Sequence, residues 1–504
     1  MGMKSFLAVT NIFGWFGTLL TWTAVALAQE PRLERLKVSE CGRFLVTESG
    51  EPFFWLGDTC WHMFGKSVSE DADNQPAVSV YFANRAKKGF NVIQSVLVRT
   101  PIGGTPANAY GHIPFEDGDF SRPRIGPGPN DDYWDHVDRV IAEAKRHGLY
   151  MAVLPIWLQD IPPGHPMEKE PSIAYRYGHF LGTRYRQEPH IIWVMGGDAY
   201  SKGRNVDVPS RLVMVRAMAE GITDGVTGID RFDGQADWSK TLMTFHPPGG
   251  GRSSGEWLHH EDWLDFNMIQ TTTRFRFANW QTVLREYGRT PPKPVLDAEV
   301  AYEGSLSLRK DEPQDIRIRP WDVRRAAYWA VFAGACGHTY GHRSFIGWIR
   351  KGETYRYGAY IPWYEVLDAP GAFQVGYLRR LIESRPFFTR IPDQSVLLED
   401  HGTGDAHLQA TRCSEGSYLM VYSPMGEPIR VRTDKLRGPR FRAWWFNPRT
   451  GSAERIGGPR HEFEGEVLEF RCPSSGEQAD WVLVLDSSEY NFPAPGSSRL
   501  QKTR

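Results

Sequence analysis

From residue 53 to about 385, short apolar runs alternate with amphipathic stretches. The runs are FFWLGD (53–58), NVIQSVLV (91–98), YMAVLPIW (150–157), IIWVMGGD (191–198), TLMTFH (241–246), FNMIQT (266–271), PVLDAE (294–299) and GACGHTYG (334–341). Runs of this length that stay apolar residue after residue read as parallel strands buried on both faces. Helix patterns stand between them. In YWDHVDRVIAEAKRHG (133–148), Trp134, Val137, Val140, Ile141 and Ala144 share one face and Gly148 ends the helix. Eight strand and helix units predict an α/β fold, a (β/α)8 TIM barrel. A doubly wound open sheet has the same rhythm, but no GxGxxG or Walker sequence marks a nucleotide site.

The rhythm changes beyond Arg385-Pro386. YLMVYSP, PIRVRT, FRAWWFNPRTG, EVLEFRCP and DWVLVLD alternate at period two between turn residues, which predicts an all-β sandwich over 393–490. Upstream of the barrel, RLKVSECGRFLVTESGEPFFW reads as a β-hairpin turning at Glu-Ser-Gly-Glu, so that 30–385 comprise hairpin plus barrel. Residues 491–504, rich in Ser and Pro and then in Lys and Arg, read as a disordered tail. At the other end, Lys4, the apolar run over 6–28 and the closing Ala26-Leu27-Ala28 read as a signal peptide cleaved after Ala28. A secreted or periplasmic protein is expected.

Charge excludes some partners. With 59 Lys+Arg against 60 Asp+Glu there is no electrostatic footprint for nucleic acid, and no membrane association is expected beyond the signal peptide. Five cysteines, Cys41, Cys60, Cys336, Cys413 and Cys472, lack the spacing of a zinc site; Cys413 and Cys472 share the strand-rich C-terminal region and could pair. The 18 Trp, 20 Tyr and 27 Phe suit either a large core or platforms for flat ligands such as sugar rings.

In a barrel of this kind the strand C-termini converge on one face, where reacting groups are held. Strand one ends in Asp58 with Trp61 and His62 just beyond, and strand two carries Gln94 and leads to Asn108-Ala-Tyr110-Gly111. Strand three ends in Trp157, strand four in Asp198, strand five in His246 and strand six in Gln270. Strand seven ends in Asp297-Ala-Glu299, and strand eight in His338, Tyr340 and His342. Taken alone, Asp198 reads as a helix N-cap, Trp157 as core and His246 as a satisfied turn histidine. Taken together, carboxylates on strands four and seven, with aromatic rings and amides around them, form what glycoside hydrolysis requires. Asp198 and Glu299 are the expected catalytic pair; Asp58, Trp61, Gln94, Trp157, His246, Gln270 and Tyr340 are expected to bind substrate. Gly196 and Gly197 are expected to admit the sugar close beneath the acid. Asp297, two residues back on the same strand face, is expected to brace the barrel, and Glu303 to bind a hydroxyl from the loop.

The ordered set GRFLVTESGEPFFWLGDTCW (42–61), GFNVIQ (89–94), NAYGHIPF (108–115), YWDHVDRVIAEAKRHGLYMAVLPIW (133–157), IIWVMGGD, TFHPPGG (244–250), KPVLDAEVAYEG (293–304), GHTYGH (337–342) and RPFFTRIPDQ (385–394) resembles the apiosidase-like glycoside hydrolases. AWWFNPRTG and DWVLVLD resemble the collagen-binding-type β-domain often found after that barrel. The resemblance implies Asp198 as acid/base and Glu299 as nucleophile of a retaining, cofactor-free and metal-free hydrolase of plant cell-wall (pectic) or related oligosaccharides. Two segments depart from the family pattern. Strand six continues Gln270-Thr271-Thr272-Thr273 in place of Gln-Ser-Gly-His, and strand three ends Trp157-Leu158-Gln159-Asp160 in place of Trp-Gly. Both line the expected mouth, so the sugar is left open, as is the oligomeric state. The alternatives are a non-catalytic carbohydrate- or matrix-binding protein with an inactive barrel and, last, a metal-dependent hydrolase, because His62, His246, His338 and His342 lack ligand spacing tied to a carboxylate.

Overall fold

The computed structural model describes Gly2 and residues 31–99, 106–198, 208–271, 277–306, 316–354, 358–398 and 401–497. The expected signal peptide lies outside the described residues apart from Gly2, as do Thr272 and Thr273. Each of the eight apolar runs contains a strand: Trp55–Thr59, Val92–Val98, Tyr150–Ile156, Ile191–Gly196, Met243–His246, Asn267–Gln270, Val295–Glu299 and Gly337–Tyr340. Strands eight, one, two, three, four and five form one parallel sheet in that order, and strands six and seven pair in parallel beside it. Hydrogen bonds close the circle. Thr244 Oγ1 donates to Phe266 O between strands five and six, and Cys336 N donates to Val295 O between strands seven and eight.

The strands are wholly buried because their two faces meet two different layers. On strand one, Trp55 turns inward, its ring 5.9 Å from Phe266 across the barrel and its indole N–H on Thr339. Asp58, of opposite parity, turns outward to the helix Val78–Lys87. The helix Tyr133–Arg146 starts where Asp132 accepts from Trp134 N and Asp135 N, and it buries the expected stripe of Trp134, Val137, Val140, Ile141 and Ala144. Ahead of the barrel, the expected hairpin carries a third strand: Leu36–Val38, Leu45–Thr47 and Pro52–Phe53 form one antiparallel sheet.

The C-terminal region is antiparallel, with strands Arg390–Pro392, Gln409–Cys413, Tyr418–Ser423, Trp481–Ser487, Arg440–Phe446 and Ala453–Arg455 side by side in that order. A two-stranded sheet of Ile429–Arg432 and Val467–Phe470 completes the layer opposite. Its central strands do not alternate apolar with polar. Leu419, Val421, Leu483 and Leu485 face the small sheet, whereas Met420, Tyr422, Val482 and Val484 join the core of the barrel. Polar groups lock the same seam: Arg324 forks onto Asp480 at 2.9 and 2.7 Å, Arg385 onto Asp486 at 2.8 and 2.7 Å, and Trp321 Nε1 donates to Pro424 O. Pro31–Arg504 accordingly form one compact unit.

Two sequence expectations fail here. Of the expected disordered tail, 491–497 are packed, with Arg385 covering the Phe492 ring at 4.9 Å and Gly496 N donating to Ser384 Oγ, while 498–504 lie outside the described residues. All five cysteines are free thiols. Cys413 contacts Thr389 Oγ1, whereas Cys472 bonds to Glu427 O, so the two thiols serve different neighbours. No helix among the described residues is long and apolar enough to cross a membrane.

Candidate active site

Strand four ends in an abrupt reversal. Gly196, Gly197 and Asp198 all have positive φ, at 94°, 105° and 39°. A non-glycine residue in that region is uncommon and carries strain, and the surroundings hold it there. Gly197 N donates to His246 O on strand five, and Gly197 O accepts from Gln159 N in the loop after strand three. The two glycines are not there to admit substrate, as the sequence suggested. A Cβ on Gly197 would lie 2.7 Å from the Trp157 ring, and one on Gly196 would strike His246 O, so protein atoms fill that space.

Asp198 meets its partner across the mouth because strand seven carries a bulge. Ile269 pairs with Asp297, but the next residue, Gln270, pairs with Glu299, so Ala298 and Glu299 together oppose one residue. The extra residue separates the faces of the two acids. Asp297 accepts from Thr271 Oγ1 at 2.8 Å and from Asn279 Nδ2 at 2.9 Å, toward the helix Asn279–Tyr287. Glu299 turns into the mouth, where its Oε2 lies 2.9 Å from His246 Nε2. Asp297 does brace the barrel, from the opposite face to the one the sequence suggested.

One ligand-type atom from each of Asp198, His246 and Glu299 lies within 4.8 Å of the others. The trio could hold a cation, and it equally brings two carboxyl groups and an imidazole together. Asp198 Oδ1 is buried and without a bonding partner among the described residues. Burial, reinforced by the negative charge of Glu299, pushes the Asp198 carboxyl up to about 6, against the opposing pull of His246, the Gln270 amide and Arg99. Trp157 packs between these groups, its ring centroid 4.9 Å from Trp61 and 5.1 Å from His246, with Trp61 5.2 Å from His246.

Trp61, Trp157, His246 and Gln270 thus gather around the two acids. Gln94 stands just behind them, its amide donating to Ala298 O within the bulge and its Oε1 buried without a hydrogen-bond partner among the described residues. Asp58 and Tyr340 lie elsewhere. Both fall on the outward parity of paired strands, Asp58 opposite Tyr340 in register. Asp58 accepts from Tyr81 OH at 2.8 Å and Arg85 Nη1 at 3.1 Å, and Tyr340 OH donates to Glu303 Oε2 at 2.6 Å. Glu303, bound also by Gly371 N, is a buried brace and is not presented to solvent. Of the four histidines weighed as metal ligands, His246 alone joins this cluster; His342 caps the helix Arg343–Ile346, and His338 is fully buried with both ring nitrogens unpaired among the described residues.

Two residues at the mouth were not singled out in the sequence. Tyr302, three residues past Glu299, is buried beside both Glu299 and Trp61. Arg99, one residue past strand two, lies over the Trp157 ring at 4.4 Å with its Nε 3.0 Å from Asp160 Oδ2. The signal for both was position alone, polar or aromatic residues just beyond a barrel strand.

Residues 39–389 match the family model of the apiosidase-like catalytic domain. The chain belongs to the apiosidase-like glycoside hydrolases. Residues 391–486 match the model described as "Putative collagen-binding domain of a collagenase". Among solved structures, this apiosidase-like chain is similar to one titled glycoside hydrolase, at 34% identity over 91% of this chain and 98% of that one, with a TM-score of 0.78. It is similar also to a glycoside hydrolase family 5 protein from Bacteroides vulgatus ATCC 8482, at 33% identity over 93% of this chain and 96% of that one, TM-score 0.78. No curated protein matches it.

Proposed function

We propose that this apiosidase-like protein is a secreted, retaining glycoside hydrolase acting on plant cell-wall (pectic) or related oligosaccharides. The observation that carries the reading is the approach of Asp198, His246 and Glu299 to within 4.8 Å at the mouth of the barrel. A retaining pair needs its carboxyl groups about 5–5.5 Å apart, whereas an inverting pair leaves room for a water at about 6.5–9.5 Å. In the first step Asp198 gives its proton to the leaving oxygen while Glu299 attacks the anomeric carbon. In the second, Asp198 takes a proton from water, which displaces Glu299. His246 beside Glu299 fixes the nucleophile's oxygen, and the Trp61 and Trp157 rings suit the C–H face of a sugar. Secretion follows from Lys4, the apolar run and Ala26-x-Ala28.

The test is a screen of the mature chain against pectic oligosaccharides, with the first-formed anomer of any product read by NMR before mutarotation. A product of inverted configuration rules out the nucleophile assigned here. Saturable binding without turnover on the whole panel would favour a sugar-binding barrel.

A further inference from the structure

Gln94 reaches across the inside of the barrel. Thr59, of the same parity on strand one as the inward Trp55, pairs in register with Gln94, so the glutamine also points inward. Its Nε2 donates at 3.2 Å to Ala298 O on strand seven, although strands eight and one stand between the two in the ring. A carbonyl in a regular strand points along the sheet toward its neighbours. Ala298 O is met from the interior because Ala298 lies in the bulge, where Ile269 pairs with Asp297 and Gln270 with Glu299. A carbonyl only accepts, so the amide nitrogen must face it, while Oε1 has no hydrogen-bond partner among the described residues. The Gln94 side chain is fully buried, so its effect on a substrate passes through what it holds.

We propose that Gln94 is a positioning residue for Glu299: its amide, donated across the barrel to Ala298 O, holds strand seven in the bulged form that turns Glu299 into the mouth. The inference rests on Glu299 as nucleophile. The residues on either side of Ala298 have anchors of their own, Asp297 on Thr271 and Asn279 toward the helix, and Glu299 beside His246 at 2.9 Å. Those two anchors lie on opposite faces of the strand, and they are compatible only while the bulge persists. Without the Gln94 donor, Ala298 O faces an apolar interior, and a strand that relaxes toward regular pairing returns the carbonyl to the sheet. In regular pairing Asp297 and Glu299 share a face, so Glu299 leaves the mouth as long as Asp297 keeps Thr271 and Asn279. Glutamine suits the role by length and by donor: methionine keeps the length without the donor, and asparagine keeps the donor one methylene short.

The test is Gln94→Met in the full mature chain, assayed on a pectic oligosaccharide that the wild type turns over, together with a crystal structure of the variant. Loss of the donor should lower kcat by about 10²-fold, the cost of a nucleophile misplaced by about 1 Å, and leave KM near the wild-type value. In the variant crystal, Glu299 Oε2 should have moved beyond hydrogen-bond distance of His246 Nε2. An unchanged kcat, a rise in KM alone, which would make Gln94 a substrate ligand, or a retained contact between Glu299 and His246 would each overturn the proposal. If Gln94→Met lacks the near-UV circular dichroism of the wild type, Gln94→Asn, too short to span the barrel, decides by the same readings. Failure of the glycosidase reading would show instead as a wild type without turnover on any substrate, and the distance in the variant crystal would then decide the positioning of Glu299 alone.

Discussion

His246 Nε2 lies 2.9 Å from Glu299 Oε2 at the end of strand seven, so the nucleophile assigned here is met by a residue two strands away in the ring. The contact depends on the bulge at Ala298, which swings Glu299 away from the face used by Asp297. Removal of either acid should therefore give distinct kinetics. Glu299→Ala should lose turnover on all substrates, and Glu299→Gly with azide should yield a glycosyl azide of configuration opposite to the substrate's. Asp198→Ala should lose about 10²- to 10⁴-fold on natural substrates, yet keep activity on aryl glycosides whose leaving groups need little protonation. Steady-state rates on a leaving-group series check this.

The pH profile follows from the acid. Asp198, pushed up to about 6 by burial and by Glu299, must be protonated to work, so kcat/KM should fall as pH rises through about 6. In Asp198→Asn the alkaline limb should vanish from whatever activity remains. A profile flat to pH 8 in the wild type would contradict the assignment.

Stability should fall over a related range for a different reason. Burial pushes Asp297 up to about 7 and Asp58 up to about 6, each from an ordinary value near 3.9. Between those values the folded chain holds protons that the unfolded chain has lost. The resulting stabilisation is complete below about pH 4 and is lost as pH rises through 6 to 7, by at most about 1.4 kcal/mol per pH unit for each group. Urea midpoints should be higher at pH 5 than at pH 8, and Asp297→Asn should flatten the difference.

The C-terminal region should prove inseparable from the barrel. Deleting residues 390–504 bares the apolar surface that met Met420, Tyr422, Val482 and Val484 and leaves Arg324 and Arg385 buried in character without Asp480 and Asp486. Breaking one buried pair of this kind costs about 3–5 kcal/mol, so the truncated barrel should be insoluble or molten by near-UV circular dichroism. Asp480→Ala alone should lower the melting temperature.

A borderline divalent cation should compete for the acids. Asp198, His246 and Glu299 offer one nitrogen and two oxygens within 4.8 Å, a donor set that suits zinc once the side chains close around the ion. Zinc chloride should inhibit competitively and reversibly with EDTA, and His246→Gln should weaken the inhibition. Inhibition unaffected by that variant would place the ion elsewhere.

The barrel was legible because its strands are buried on both faces and so leave unbroken apolar runs, each of which contains an observed strand. The positions of Asp198, His246, Gln270 and Glu299 could be read as strand ends converging on one mouth. Parity could not. Asp58 and Tyr340 sit one residue off the inward phase, and a run that is apolar on both sides gives no alternation to fix which side a polar residue takes. The bulge at Ala298 was hidden for the same reason. In the C-terminal region the unalternating strand VLVL (482–485) held the clue that its sheet is covered twice, whereas the period-two reading implied a solvent face. Arg99 was not singled out because what places it at the mouth is its contact with a ring and a carboxylate on the neighbouring loop.

The bulge has an evolutionary corollary. Strand seven carries two acids two residues apart, and a single unpaired residue decides which address each receives. A deletion within 297–299 that erased the bulge would retain an acid in the segment but deliver the wrong one, or neither, to the mouth. A descendant could thus become a silent lectin-like barrel while its amino-acid content stayed almost unchanged, and length between the strand-six glutamine and the strand-seven glutamate would record the loss better than the presence of the acids themselves.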